Sequence, residues 1–152
     1  MADEIKIERI TSTERFAECA EVLLDAYNRP PWNDNWNNEA AIALLTCYYN
    51  SPEFMGWTAT TANKIVGCGV GNIEPYYKGN IFYLKELFVA AQYQKLGVGK
   101  RLVSAVKQDL TETDVKTIIL LTSDAIFNFY TKCGFSDMEE RRIMICSNVS
   151  KP

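Results

Sequence analysis

Leu87-Phe88-Val89-Ala90-Ala91-Gln92-Tyr93-Gln94-Lys95-Leu96-Gly97-Val98-Gly99-Lys100-Arg101-Leu102 reads as the end of a strand, a short turn and the opening of a helix. At the junction stands Q-x-x-G-x-G, formed by Gln94, Gly97 and Gly99. Glycine lets a backbone approach a ligand closely, and the first turn of a helix leaves its N–H groups without partners. Those groups and the helix dipole suit a pyrophosphate, with Lys95, Lys100 and Arg101 adding positive charge beside it. The plainer alternative is two glycines easing a tight turn. The stretch is not a Walker A loop, because Gln94 rather than Gly stands three positions before Gly97 and Arg101 fills the Ser/Thr position. A second glycine run, Gly67-Cys68-Gly69-Val70-Gly71, lies inside a hairpin strand with Pro75 rather than a helix after it. Its alternate glycines clear one sheet face for something packed close.

Outward from that junction, Ile81 to Val89 is a strand and Val98 to Leu110 a helix. Upstream, Gly56 to Thr61 and Ile65 to Asn72 form a hairpin turned at Ala62-Asn63-Lys64. Ile5 to Ile10 alternates as a first strand, and Thr11-Ser12-Thr13-Glu14 has the hydroxyl and early acid of a helix start. Phe16, Cys19, Ala20, Leu23, Leu24 and Tyr27 then recur at helical spacing until Pro30-Pro31. Pro30 to Asn38 is a loop, and Glu39 to Tyr49 a second helix with Ile42, Leu45 and Tyr49 on one stripe. Downstream come a strand at Thr117 to Leu121, a helix at Ala125 to Lys132 ended by Gly134, and a last strand at Arg141 to Cys146. Residues 1–152 thus make a single mixed α/β domain, in the order β-α-α-β-β-β-α-β-α-β-β.

The chain has 152 residues, of which 47% are apolar, ample for one core. Its 16 basic and 19 acidic side chains leave a net charge of −3, which argues against a general nucleic-acid binder. Histidine is absent, so no Ser-His-Asp triad, Cys-His pair or histidine metal site exists, and no metal is implied. Acid–base chemistry falls to Glu, Asp, Tyr, Lys or Cys. The five cysteines are scattered within apolar runs, as small core hydrophobes are. Met1-Ala2-Asp3-Glu4 has no signal-peptide character and no apolar run could span a membrane, so a cytoplasmic protein without a membrane partner is expected.

Some 30 residues after the glycine motif comes Ala125-Ile126-Phe127-Asn128-Phe129-Tyr130-Thr131-Lys132-Cys133-Gly134-Phe135. The pairing of Q-x-x-G-x-G with A-x(4)-Y-x-K-x-G-F resembles the GNAT N-acetyltransferase superfamily over essentially the whole chain. The resemblance implies that acetyl-CoA, as cosubstrate, lies where the fourth strand splays from the fifth. It implies pantetheine contacts at the backbone of Leu87, Phe88 and Val89, and a pyrophosphate loop of Gln94, Lys95, Leu96, Gly97, Val98, Gly99 and Lys100. Lys132 matches a position that often touches the cofactor, and Tyr130 the tyrosine that can protonate the departing thiolate; a packed core aromatic is the alternative for Tyr130. Ser123 departs from the family, which often carries Asn there.

Amine attack on a thioester needs a neutral amine, so a group must accept the ammonium proton. Glu86, on an otherwise apolar strand entering the site, is the candidate base. An ion pair with Lys85, Arg141 or Arg142, or simple exposure, is its alternative. Strand alternation puts Glu86 with Leu84 on one face and Tyr83 with Lys85 on the other, leaving Tyr83 as a separate route through water. Candidate acceptor residues are Tyr27, Trp32, Asp34, Trp36 and Tyr76, where aromatic walls and a carboxylate suit a cationic amine. The Trp loop could instead plug a core edge. Its Pro-Trp-Asn-x-x-Trp signature resembles a bacterial subgroup of the superfamily with largely unassigned substrates. The resulting expectation is an N-acetyltransferase moving acetyl from acetyl-CoA to a small-molecule or peptide primary amine by direct transfer. A catalytically silent acyl-CoA-binding regulatory or protein-interaction module is the alternative. The oligomeric state stays open, with a homodimer as one option.

Overall fold

Ala62 and Asn63 both take positive φ, 46° and 62°, and so fold β2 (Phe54–Thr61) back onto β3 (Lys64–Glu74) as a hairpin. The computed structural model describes residues 3–147 and 149. Beyond that hairpin, β1 (Lys6–Arg9), β4 (Ile81–Val89) and β5 (Thr117–Ile119) complete a five-stranded sheet in the order β1-β2-β3-β4-β5. The first four strands pair antiparallel, and β5 runs parallel to β4. Four helices accompany it: α1 (Phe16–Tyr27), α2 (Asn38–Tyr49), α3 (Val98–Leu110) and α4 (Asp124–Lys132). The mixed α/β class is as expected.

One face of the sheet packs on α1 and α2 through Phe16, Leu23, Tyr27, Leu45, Cys68 and Phe88. The other packs on α3 through Trp57, Phe82, Leu84, Leu102 and Val106. Gly67 lets α3 come close, since a Cβ there would lie 3.2 Å from the Leu102 side chain, as the glycine alternation foretold. Two features of β4 shape everything that follows. Val70 pairs with Glu86 but Gly71 pairs with Leu84, so Lys85 is an extra residue, a β-bulge. In addition, β4 meets β5 only at Ile81–Tyr83, against Thr117–Ile119, whereas β3 accompanies it to Val89. From Leu84 onward β4 has no described strand on its β5 side.

The bulge overturns the expected alternation. Leu84 lies with Phe82 in the α3-side core, while Glu86 and Phe88 point to the α1/α2 side. Glu86 and Leu84 are therefore on opposite faces, and Tyr83 falls on the Glu86 side. The α2 stripe is also rotated from the expected one. Ala41 and Leu45 are buried with Leu44, Tyr48 and Tyr49 packed beside them, and Ile42 is exposed. The expected hydroxyl cap at the start of α1 is not used, for Arg15 holds the cap position. Of the cysteines, Cys19 and Cys68 are core residues, but Cys47 and Cys146 are exposed.

The two closing strands expected after α4 are not formed among the described residues, and Arg141 to Cys146 is irregular. An alternating sequence makes a strand only where a neighbour takes up its backbone groups. Here Ile143, Met144 and Ile145 belong to no strand and stay exposed, and no residue from Thr111 to Ser147 is fully buried.

Candidate active site

The turn after β4 is built by three devices. Gln94 donates from its side chain to the Val89 carbonyl (2.9 Å), tying the loop to the strand end. Lys95 takes a left-handed φ of 62° and Gly97 one of 85°, which reverses the chain into α3. Gly97 is the N-cap residue and offers no side chain, so the first-turn N–H groups have no capping partner. The first turn also has no acidic residue, while Lys100 and Arg101 stand on it. A Cβ at Gly97 would meet nothing within 4 Å, so the space in front of the loop is open. Gly99 is different: a Cβ there would lie 3.1 Å from the Phe129 ring, so this glycine admits α4 rather than facing open space. The loop can thus hold an anionic group at a helix N-terminus.

Beside the loop, Lys100, Ser104, Lys107, Lys132 and Cys133 line a depression of about 170 Å³. Lys132 and Lys100, distant in sequence, are brought together there, and Lys107 donates to the Cys133 carbonyl. Ser123 occupies the N-cap position of α4 without using its hydroxyl as a cap. Leu87, Phe88 and Val89 lie on the stretch of β4 that β5 leaves uncovered. Their residual backbone groups suit an extended ligand lying along the strand, although the Val89 carbonyl already accepts from Gln94.

On the α1/α2 face, Glu86 is half-buried and accepts two phenolic hydrogen bonds. Tyr27 donates to one oxygen at 2.7 Å and Tyr48 to the other at 3.3 Å. Burial pushes the Glu86 carboxyl above the usual glutamate range, the two phenols hold it back, and Asp34 pushes it further up. The ion pairs considered for Glu86 are not made among the described residues, and Lys85 instead sits over the Tyr83 ring at 3.5 Å. Tyr27 and Tyr48 are both raised, first by burial and then by the Glu86 charge, so both stay protonated as donors. Tyr48 is the site residue that sequence reading missed. Its signal, a tyrosine one turn beyond Leu44 and Leu45, was hidden by the stripe drawn through Ile42 and Tyr49.

Tyr130 is half-buried between Phe129 and Phe135, with ring centroids 4.9 and 5.6 Å away. Burial raises it, with smaller contributions from Cys133 and Glu86, so its hydroxyl keeps its proton at neutral pH. That hydroxyl makes none of the side-chain hydrogen bonds found among the described residues. The Trp loop is fastened over the same region. Asn28 clasps the Trp36 backbone from both sides, Trp36 donates its indole N–H to Asp34 (3.1 Å), and Trp32 packs on Tyr27 at 5.1 Å. Tyr76 is not part of this group. It stacks on Tyr77 at the β3–β4 hairpin tip, and five residues of strand, roughly 17 Å, separate Ile81 from Glu86.

Solved structures of acetyltransferases share this architecture. An aminoglycoside N-acetyltransferase in complex with CoA superposes with a TM-score of 0.75 at 15% identity, over 99% of this chain and 98% of that one. An aminoglycoside acetyltransferase from an uncultured soil metagenomic sample, in complex with sisomicin, gives 0.70 at 20% identity over 97% of each chain. Glucosamine-6-phosphate N-acetyltransferase from Arabidopsis thaliana gives 0.67 at 17%, over 97% of this chain and all (100%) of that one. At these identities the likeness concerns the fold. No curated protein sequence matches the chain. The acetyltransferase (GNAT) family model, however, matches residues 18–135, and the chain belongs to that family.

Proposed function

We propose that this protein moves the acetyl group of acetyl-CoA to a primary amine by direct transfer in a ternary complex. The reading rests above all on one observation: a half-buried carboxylate with no basic partner among the described residues stands on β4 where that strand loses β5. A solved structure of the same fold holds CoA, and the residues present here fit such a ligand. The uncapped, acid-free start of α3 and the open space before Gly97 suit its pyrophosphate, and Lys100, Lys107 and Lys132 suit its remaining phosphate. Leu87, Phe88 and Val89 flank its pantetheine arm.

In the proposed reaction the acceptor ammonium gives a proton to Glu86, directly or through water. The neutral nitrogen then attacks the thioester carbonyl carbon, the C–S bond breaks, Tyr130 protonates the leaving thiolate, and the surplus proton of the new amide nitrogen passes through water to restore the Tyr130 phenol. Tyr27, Trp32, Trp36 and Asp34 form the acceptor wall, whose aromatic faces and carboxylate suit a cationic amine. Small-molecule amines are favoured by the sisomicin complex among similar structures.

The test is thiol release from acetyl-CoA across a panel of polyamines, aminoglycosides, amino sugars and peptide N-termini, with parent protein and Glu86→Gln. The expected result is release with some members of the panel and a loss at neutral pH in Glu86→Gln that recovers as pH rises. Tight acetyl-CoA binding without release for any amine would instead establish a silent acyl-CoA-binding module.

A further inference from the structure

The terminal torsion of a glutamate is broad, so a carboxylate held at one oxygen still rotates about its last bond. Glu86 is held at both: Tyr27 of α1 takes one oxygen and Tyr48 of α2 the other. Tyr27 itself cannot follow a moving partner. It is buried, with its ring against Trp32 at 5.1 Å and Phe88 at 5.7 Å, and its hydroxyl also reaches the Leu87 carbonyl at 3.4 Å. A carboxylate offers about four lone-pair sites, so two phenols leave about two for an acceptor.

We propose that Tyr48 is a positioning residue, which with Tyr27 grips both oxygens of Glu86 and fixes the carboxylate plane toward the acceptor amine. The two helices that frame the Trp loop thereby set the orientation of the group on β4. The inference rests on the reading of Glu86 as the base, but the grip can be measured apart from it. The groups facing Glu86 are Tyr27 from α1, Asp34 from the Trp loop, Tyr48 from α2, Tyr83 on its own strand and Tyr130 from α4. Among these Asp34 is the one carboxyl group, and it opposes ionisation of Glu86. The two phenolic hydrogen bonds favour the ionised form, so removing either one raises the pH at which Glu86 titrates.

The experiment follows the Glu86 carboxyl carbon by NMR in protein labelled with 13C-glutamate, the signal being assigned by its loss in Glu86→Gln. Tyr48→Phe deletes only a hydroxyl on a half-buried ring, so the fold is kept. Its titration midpoint should rise by about one pH unit, the scale of one hydrogen bond to a carboxylate. The acidic limb of kcat/KM should move with it, and Tyr27→Phe should move both further. In a Glu86→Gln background, Tyr48→Phe should cost no additional activity. An unmoved midpoint in Tyr48→Phe overturns the grip even if Glu86→Gln abolishes the limb, which leaves the base in place. A limb that survives Glu86→Gln overturns the base, and the midpoint alone then decides the grip.

Discussion

Glu86 sits at a cost to the fold that its two phenols only partly offset. Its carboxyl is raised above the usual 4.5 by burial, so the folded protein holds the proton more tightly than the unfolded chain. Below 4.5 both states are protonated and there is no penalty; as pH climbs through the folded value, the penalty grows to its full size. Glu86→Gln should therefore raise the melting temperature at pH 7, and that gain should shrink as pH falls through the folded value and be gone below 4.5, in thermal unfolding monitored by circular dichroism. Equal melting temperatures at pH 7 would mean that the carboxylate is fully compensated where it stands. Tyr130 supports a second prediction at this scale. Its proton is held firmly by burial, and Phe would keep the contacts with Phe129 and Phe135. Tyr130→Phe should leave acetyl-CoA affinity within a few-fold while turnover drops about 10²-fold, the contribution of one positioned proton donor. Pre-steady-state thiol release at the parent rate would return Tyr130 to a packing role.

Among the elements, the turn into α3 separates two glycines that look alike in sequence. Gly97 has φ +85° and open space where a Cβ would go, so Gly97→Val is strained in the backbone and intrudes on the ligand side. The left-handed conformation costs an L-residue roughly 1–2 kcal/mol. Acetyl-CoA affinity should fall at least about tenfold, because the new side chain occupies the open space on the ligand side of the turn, while the strain lowers stability. Gly99→Val drives instead into the Phe129 ring at 3.1 Å, and should lower the melting temperature by separating α4 from α3. Calorimetry and thermal unfolding on both variants check the pair; the reverse pattern would exchange the roles of the two glycines. The bulge at Lys85 acts at the same scale. One inserted residue turns Glu86 toward α1 and α2, bringing it to Tyr27 and Tyr48 instead of the α3 core.

At the scale of the whole molecule, the sheet is closed by α1 and α2 on one side and α3 on the other, but β5 and α4 are fastened lightly. Only three registers join β5 to β4, and α4 has no fully buried residue. A ligand spanning β4, the α3 turn and Lys132 would tie these parts together. Saturating acetyl-CoA, at about 100 times its Kd, should stabilise the native state by about 2.7 kcal/mol. For a chain of this length that is a rise of about 5–10 °C in melting temperature. Differential scanning calorimetry with and without acetyl-CoA measures it, and an absent shift at millimolar ligand would remove the cofactor from the proposed function.

Strands, helices and the turn at Gly97 were legible because each is written in local terms: a strongly apolar run in Ile81 to Val89, helical spacing in Val98 to Leu110, glycine where φ is positive. The same local grammar marked Glu86 as a carboxylate out of place on an apolar strand. Its neighbours were legible in part: Tyr27, Asp34, Tyr83 and Tyr130 stood among the candidates, but Tyr48 and the hydrogen bonds to Glu86 did not. Which face Glu86 takes depends on a bulge that arises only when β4 pairs with β3, and which side of α2 is buried depends on how that helix lies against α1. Tyr48 was missed for that reason, since helical spacing places it within about one residue of the chosen stripe. Arg141 to Cys146 shows the opposite error, a strand pattern with no described partner to pair with. A strand's hydrogen bonds are made with residues far along the chain, so its sequence can permit pairing but cannot supply the partner.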